Sequence, residues 1–221
     1  MGRDETPRPG SDPGTGASRA TVLGIGNLLW ADEGFGVRCV EALQTRHEIP
    51  DDVRVIDGGT QGLYLIHHVQ DADRLLIFDA VDYGEAPGTL VVVEGDAVPQ
   101  YLGARKMSLH QTGFQEVLAL ARLTGRFPRD VVLIGCQPEE LEDYGGSLRP
   151  VVKQALEDAI VRGLAVLSSW GIDLTRRSTP LEETAAVTLP HLALARYEGE
   201  RPSEETACRI GDARFLSRAD A

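Results

Sequence analysis

Residues 21–37, TVLGIGNLLWADEGFGV, join an apolar run to a glycine-rich turn and then, through Asp32 and Glu33, to a helix. A strand that turns directly into a helix is the opening unit of a parallel α/β sheet, and ligands of open α/β sheets bind beyond the carboxyl ends of the strands. Glu33, just past such an end, is therefore the first candidate for chemistry. Asp32 and Glu33 serve equally as caps that offset the positive end of the helix, so both uses stay open at this point.

The same alternation recurs along the chain. Strands are predicted at 20–25, 53–57, 74–79 and 131–136. Helices are predicted at 34–47 with Val37, Val40 and Leu43 on one face, at 61–70 with Leu63, Ile66 and Val69, at 111–124 with Phe114, Val117, Leu118, Leu120 and Ala121, and at 150–169, opened by Pro150. The run RLLIFD at 74–79 is apolar throughout until its aspartate, which suits a central strand covered on both faces. A further strand at 89–93 follows Asp79 after a short loop holding Gly84, Pro87 and Gly88. A parallel crossover needs about a dozen residues or more, so this strand is antiparallel. The stretch 95–109 then reads as a structureless loop that returns the chain to the carboxyl edge, and loops that long in compact domains are usually functional. The fold class that follows is α/β: three layers, a twisted, mostly parallel five-stranded sheet with one antiparallel strand, and helices on both faces.

Composition bounds the function. The chain has 221 residues, 42% hydrophobic and 25% charged, enough for one ordinary core, placed at 20–174. Residues 1–19 hold Gly, Pro, Asp and Arg with little to bury and are predicted to be a disordered arm, not a secretory signal. Residues 175–221, punctuated by Pro180, Pro190 and Pro202, are predicted to be a mostly disordered tail with one short helix near 189–197. A net charge of −12 excludes the basic footprint of a nucleic-acid or anionic-membrane binder. No run is long enough to span a bilayer. Cys39, Cys136 and Cys208 are widely spaced and odd in number, which suggests neither a disulfide framework nor a thiolate zinc site and fits the cytoplasm.

The predicted topology converges on one rim. Glu33 follows the first strand, Asp57 ends the second, Asp79 ends the third, and Cys136 with Gln137 ends the last parallel strand. His110 heads the helix that precedes that strand and so starts at the same edge. Two carboxylates and an imidazole suit a divalent metal, or alternatively a hydrolase in which the carboxylates orient a water and exchange protons with a leaving amine. The positive helix head keeps His110 neutral. Asp57, Gly58, Gly59 and Thr60 form a tight turn whose glycines let another backbone approach, as an extended peptide would, although Thr60 as a plain helix cap accounts for it equally.

Other features carry less. Gly24 and Gly26 start a dinucleotide fingerprint, but position 29 is Leu and no phosphate lysine follows, which leaves a nucleotide-binding regulator as a weak third reading. His67 and His68 read as solvated surface, His47 as a helix-end histidine and Cys39 as packing, while Cys136 is a candidate nucleophile that reads more readily as a buried, inert thiol with no obvious base beside it. There is no GxSxG elbow and no HExxH helix.

Five segments together, GIGNLLWADEGFGVRCVEAL from Gly24, DGGTQG from Asp57, IFDA from Ile77, SLHQTG from Ser108 and IGCQPE from Ile134, closely resemble the nickel–iron hydrogenase maturation endopeptidases. The resemblance spans roughly residues 21–169. It implies a cytoplasmic enzyme, expected to be a monomer, that removes a short C-terminal extension from the hydrogenase large-subunit precursor after nickel insertion. By motif, Glu33, Asp79 and His110 are the metal-contacting and catalytic set, and nickel arrives within the substrate, so no resident metal is expected. The resemblance groups the family with aspartic peptidases, with a carboxylate or a water on the metal promoting hydrolysis, and it implies a twisted, mostly parallel sheet between helices. Docking of substrate is assigned to Asp57, Gly58, Gly59 and Thr60. The alternative of another class is a nickel-sensing chaperone or docking protein that binds the precursor without cutting it.

Overall fold

The structure, a computed structural model, describes residues 19–102, 109–182 and 185–201, with backbone alone at 100, 101 and 109–112. Five strands, β1 (Ala20–Ile25), β2 (Val53–Gly59), β3 (Arg74–Ala80), β4 (Leu90–Glu94) and β5 (Asp130–Cys136), form one sheet in the order β2-β1-β3-β5-β4. All pairings are parallel except β4 with β5, where Leu90 stands opposite Cys136. The short loop after β3 thus does what its length dictates, and the all-apolar β3 is the middle strand.

Helices cover both faces. On one, α1 (Phe35–Arg46) and α5 (Pro150–Ser169) pack Phe35, Val40, Leu43 and Ile160 against Leu76, Phe78 and Ile134. On the other, α2 (Ile66–Gln70), α3 (Ala97–Leu102) and α4 (Leu109–Leu123) pack Val69, Val98, Phe114 and Leu118 against Leu23, Ile77 and Leu133. Alternation along β3 sends Leu76, Phe78 and Ala80 toward α1 and α5, and Leu75 and Ile77 toward α4. Asp79, next in the alternation after Ile77, therefore faces α4.

Glycine sets the distance between α1 and the sheet. A Cβ on Gly36 would lie 2.1 Å from the Phe78 carbonyl oxygen and 2.3 Å from that of Ile25, and one on Gly24 would lie 2.4 Å from the Gly36 oxygen. The first turn of α1 consequently rests directly across the ends of β1 and β3, closer than any side chain allows.

Three sequence expectations change. The stretch 95–109 is not structureless: α3 occupies part of it, because Val98 and Leu102, four residues apart, are both fully buried, and Pro99 falls in the first helical turn, where its missing N–H is harmless. The helix expected at 61–70 is a 3₁₀ turn, Gly62–Leu65, followed by the short α2, so Leu63 is exposed instead of lining the apolar face. The tail from 175 is not mostly disordered where it is described; residues 175–182 and 185–201 run along the outer face of α1.

There the main chain finds partners that hydrophobic periodicity does not reveal. The Glu48 N–H donates to Thr175 O (2.8 Å), the Arg177 N–H to Arg46 O (2.8 Å) and the Leu181 N–H to Thr45 O (2.9 Å). Arg38 and Glu41, paired at 2.7 Å and largely buried, hold the Leu192 carbonyl and the Leu194 N–H. The expected short helix is present as α6 (Leu194–Gly199), from which Glu198 reaches Ser147 and Lys153. The predicted arm 1–19, except for Arg19, lies outside the described residues, as do 202–221. No helix among the described residues is long and apolar enough to cross a membrane.

The tight contact at Gly36 of α1 and the open surroundings of Gly113 of α4 predict different outcomes for two glycine substitutions. Gly36→Ala forces backbone apart and lowers stability by about 3 kcal/mol or more, whereas Gly113→Ala, whose Cβ would meet Gly62 at an ordinary 3.5 Å inside α4, leaves stability unchanged or raised by up to about 1 kcal/mol. Denaturant midpoints of the two variants check this; equal effects would contradict it.

Candidate active site

The turn after β1 is built on backbone contacts. A Cβ on Gly26, at φ +139°, would fall 1.8 Å from the Glu33 carbonyl oxygen, so the chain folds back there only through glycine. The Asn27 N–H donates to Glu33 O (3.1 Å), the Glu33 N–H to Trp30 O (2.8 Å) and the Leu29 N–H to the Asn27 side chain (3.0 Å). These bonds form a 3₁₀ turn, Ala31–Gly34, that holds Glu33 half-buried just beyond the end of β1. The capping alternative fails for α1, whose N-cap is Gly34, with no side-chain cap bond.

Asp79 is 1% exposed, one residue beyond Phe78, whose Cα partners Gly24 of β1. On its other side its partner is Gly135 of β5, where a Cβ would lie 1.4 Å from the Tyr83 phenol oxygen. The Tyr83 ring thus fills the place of a side chain next to Asp79, a neighbour the sequence reading did not single out. His110 lies in the first turn of α4, on the sheet face toward which Asp79 points; its side chain is outside the described residues. The Gly113 backbone against Gly62 fixes that helix end beside the turn that follows β2. Among the described residues no group of three His, Cys, Asp or Glu is close enough to hold a metal ion.

Asp57 shares the edge but not the face. Its Cα partners Gly24, and Val55 and Ile56 pack on the α1 and α4 sides respectively, so alternation turns Asp57 toward α1. Burial raises its carboxyl above the ordinary 3.8; a hydrogen bond from Gly59 and the charge of Arg38 draw it back, while Glu41 adds to the rise. Gly58 does not offer a surface: it is buried, and a Cβ there would meet Gly24 O, Ile25 and Leu23 at 2.9 Å. The backbone that approaches it is β1. Thr60 is exposed and does not cap the following 3₁₀ turn, whose N-cap is Gln61.

Two side chains organise the rest of the rim. Gln137 is buried, accepts from the N–H groups of Tyr83 (2.6 Å) and Glu85 (3.2 Å), and donates to Asp82 (3.0 Å), clamping the loop between β3 and β4. Asp32, fully buried, ties the Glu33 turn to the segment between β5 and α5. Its place beside Glu33 was legible in the sequence, but the partner segment, more than a hundred residues away, was not. Cys136 is buried, and burial together with the charge of Asp32 pushes its thiol up to about 12, which removes it as a nucleophile. Cys39 is likewise buried and raised, and Cys208 lies outside the described residues. His47 caps the end of α1, its Nδ1 3.1 Å from Leu43 O. His68 is half-buried, with its pKa lowered by burial, and so is not the solvated surface residue expected.

The same architecture and sequence recur in known proteins. The sequence profile described as hydrogenase maturation protease matches residues 37–166. The hydrogenase expression/formation protein HoxM of Cupriavidus necator is 66% identical over 195 residues, 88% of this chain and 96% of its own. The hydrogenase 2 maturation protease of Escherichia coli is 42% identical over 160 residues, 72% of this chain and 96% of its own. The solved structure of the hydrogenase maturating endopeptidase HybD from Escherichia coli superposes with a TM-score of 0.69 at 41% identity, covering 72% of this chain and 98% of that one. With its five-stranded, singly antiparallel sheet and the turn and strand ends just described, the chain belongs to the hydrogenase maturation protease family.

Proposed function

We propose that the protein is an endopeptidase that removes the C-terminal extension of a nickel–iron hydrogenase large-subunit precursor once nickel is inserted, with Glu33, Asp79 and His110 reading the metal held by the substrate. The observation that carries this reading is the contact of Gly36 with both Phe78 O and Ile25 O. It brings the peptide leading into Asp79 and the turn bearing Glu33 under one helix end, while α4 presents its first turn, with His110, on the Asp79 face. Membership of a peptidase family supplies the reaction class.

In this proposal nickel is part of the substrate, and no resident metal is required. Carboxylate oxygens and an imidazole nitrogen are the donors that complete the coordination of such an ion, so a precursor without it lacks the feature the site recognises. Completion of that shell fixes the scissile bond against the rim. A carboxylate of the set then takes a proton from the attacking water and returns one to the leaving amine, as in an aspartic-type hydrolysis. Asp79, shielded from solvent, is in the environment where such interactions are strongest. Asp57, Gly59 and Thr60 dock the extended C-terminal segment; the site around Gly59 is open apart from Asp57 Oδ1 at 3.5 Å. The enzyme works as a monomer on its partner protein in the cytoplasm.

Incubation with purified precursor tests the proposal. The nickel-loaded form is expected to lose the mass of its extension and the nickel-free form to stay intact; a stable complex without truncation would instead support the non-cleaving chaperone. Asp79→Asn and His110→Ala are expected to reduce cleavage by at least about a hundredfold while keeping the circular dichroism of the parent, and normal cleavage by either contradicts the assignment.

Asp57→Asn separates docking from chemistry. It is expected to raise KM for the precursor with kcat little changed. Because burial raises the folded carboxyl above its unfolded value, the native state holds the proton more tightly, and stability declines as pH rises through that interval. The penalty is absent below the unfolded pKa and complete above the folded one. The amide variant therefore melts higher than the parent at neutral pH, and the gain vanishes near pH 3; a lower melting point at neutral pH would contradict the burial argument.

A further inference from the structure

The Asp32 carboxylate accepts three main-chain hydrogen bonds beside the rim, and none of them serves its own helix. Its Oδ2 accepts from the N–H groups of Glu139 (2.8 Å) and Glu140 (2.9 Å), and its Oδ1 from the N–H of Arg149 (2.7 Å). Its own N–H donates to Glu140 O (3.1 Å). Arg149 is the N-cap of the 20-residue α5, so the carboxylate also stands where the helix dipole favours negative charge. The side chain is 0% exposed, which keeps these bonds out of competition with water.

Further contacts stitch the same two segments together. The Gly145 N–H donates to Leu29 O (2.7 Å), and Trp30 meets Tyr144 edge-on with ring centroids 5.3 Å apart. Between them Ala31 holds φ +35°, a conformation that residues with a Cβ seldom adopt and that persists only when its surroundings over-determine it. Asp32 is the buried centre of that constraint, and Glu33 is the next residue.

We infer that Asp32 is a positioning residue for the reaction: by fastening segment 139–149 to the turn 29–33, its carboxylate fixes the direction in which Glu33 enters the site. The inference rests on the proposed role of Glu33 in cleavage. Asp32 touches no substrate in this account, since it is fully enclosed.

The test uses the full chain with Asp32→Asn, which preserves shape but sets an amide donor against N–H donors. Exchange of the Glu139, Glu140 and Arg149 amides is expected to speed up while sheet amides keep their protection. Cleavage of nickel-loaded precursor is expected to fall on the order of a hundredfold in kcat with KM little changed. Asp32→Glu, which keeps the charge but moves it by one methylene, replaces Asp32→Asn if the latter does not fold. Faster exchange at the three amides with an unchanged kcat would overturn the inference, and so would a lower kcat with unchanged exchange. Glu33→Gln is measured alongside: if it cleaves like the parent, the reading of Glu33 fails and this inference with it, whereas an inactive Glu33→Gln beside a fully active Asp32→Asn rejects the positioning role alone.

Discussion

The close approach of α1 to the ends of β1 and β3 is the constraint on which the rest depends. Gly24, Gly26 and Gly36 each occupy places where a Cβ would strike a backbone oxygen at 2.4 Å or less. Backbone cannot yield as the end of a flexible side chain can, so the turn between β1 and α1 has one path. That path lifts Glu33 over the sheet edge, while the register of β3 with β1 and β5 sets Asp79 at the same level. The positions of Glu33 and Asp79 at this edge are a consequence of how closely a helix lies on a sheet.

Much of this was legible in the chain. Apolar runs marked the strands, the short loop after Asp79 fixed the antiparallel one, and the order of strand ends grouped Glu33, Asp57 and Asp79. What sequence alone missed concerned side-chain facing and distant partners. An edge shared by all strands has two faces, and alternation puts Asp57 toward α1 and Asp79 toward α4. Gly58 read as an opening for a peptide because glycine admits a neighbouring backbone; the neighbour is β1. Asp32 and Gln137 read as a cap and a strand end because their acceptors and donors lie in loops whose fold no periodicity encodes.

The described tail shows the same limit. Its prolines and lack of periodicity suggested little to bury, yet Arg38, Glu41 and Gln44 on α1 offer side-chain partners to its main chain. The Glu198 carboxylate, held low by Lys153 and Ser147 against the opposing effect of burial, fastens α6 to the start of α5 and the loop before it. That loop is the one Asp32 grips from the other side.

The proposed function requires a glutamate, an aspartate and a histidine from three distant parts of the chain to share one point at the carboxyl edge. A crystal structure that places the His110 imidazole tests it most directly. The account predicts that the ring nitrogen and the Glu33 and Asp79 carboxylates surround a common position, near enough for a single ion at roughly 2.0 to 2.2 Å from each. An imidazole turned away from Asp79, or a Glu33 carboxylate directed off the edge, would contradict it.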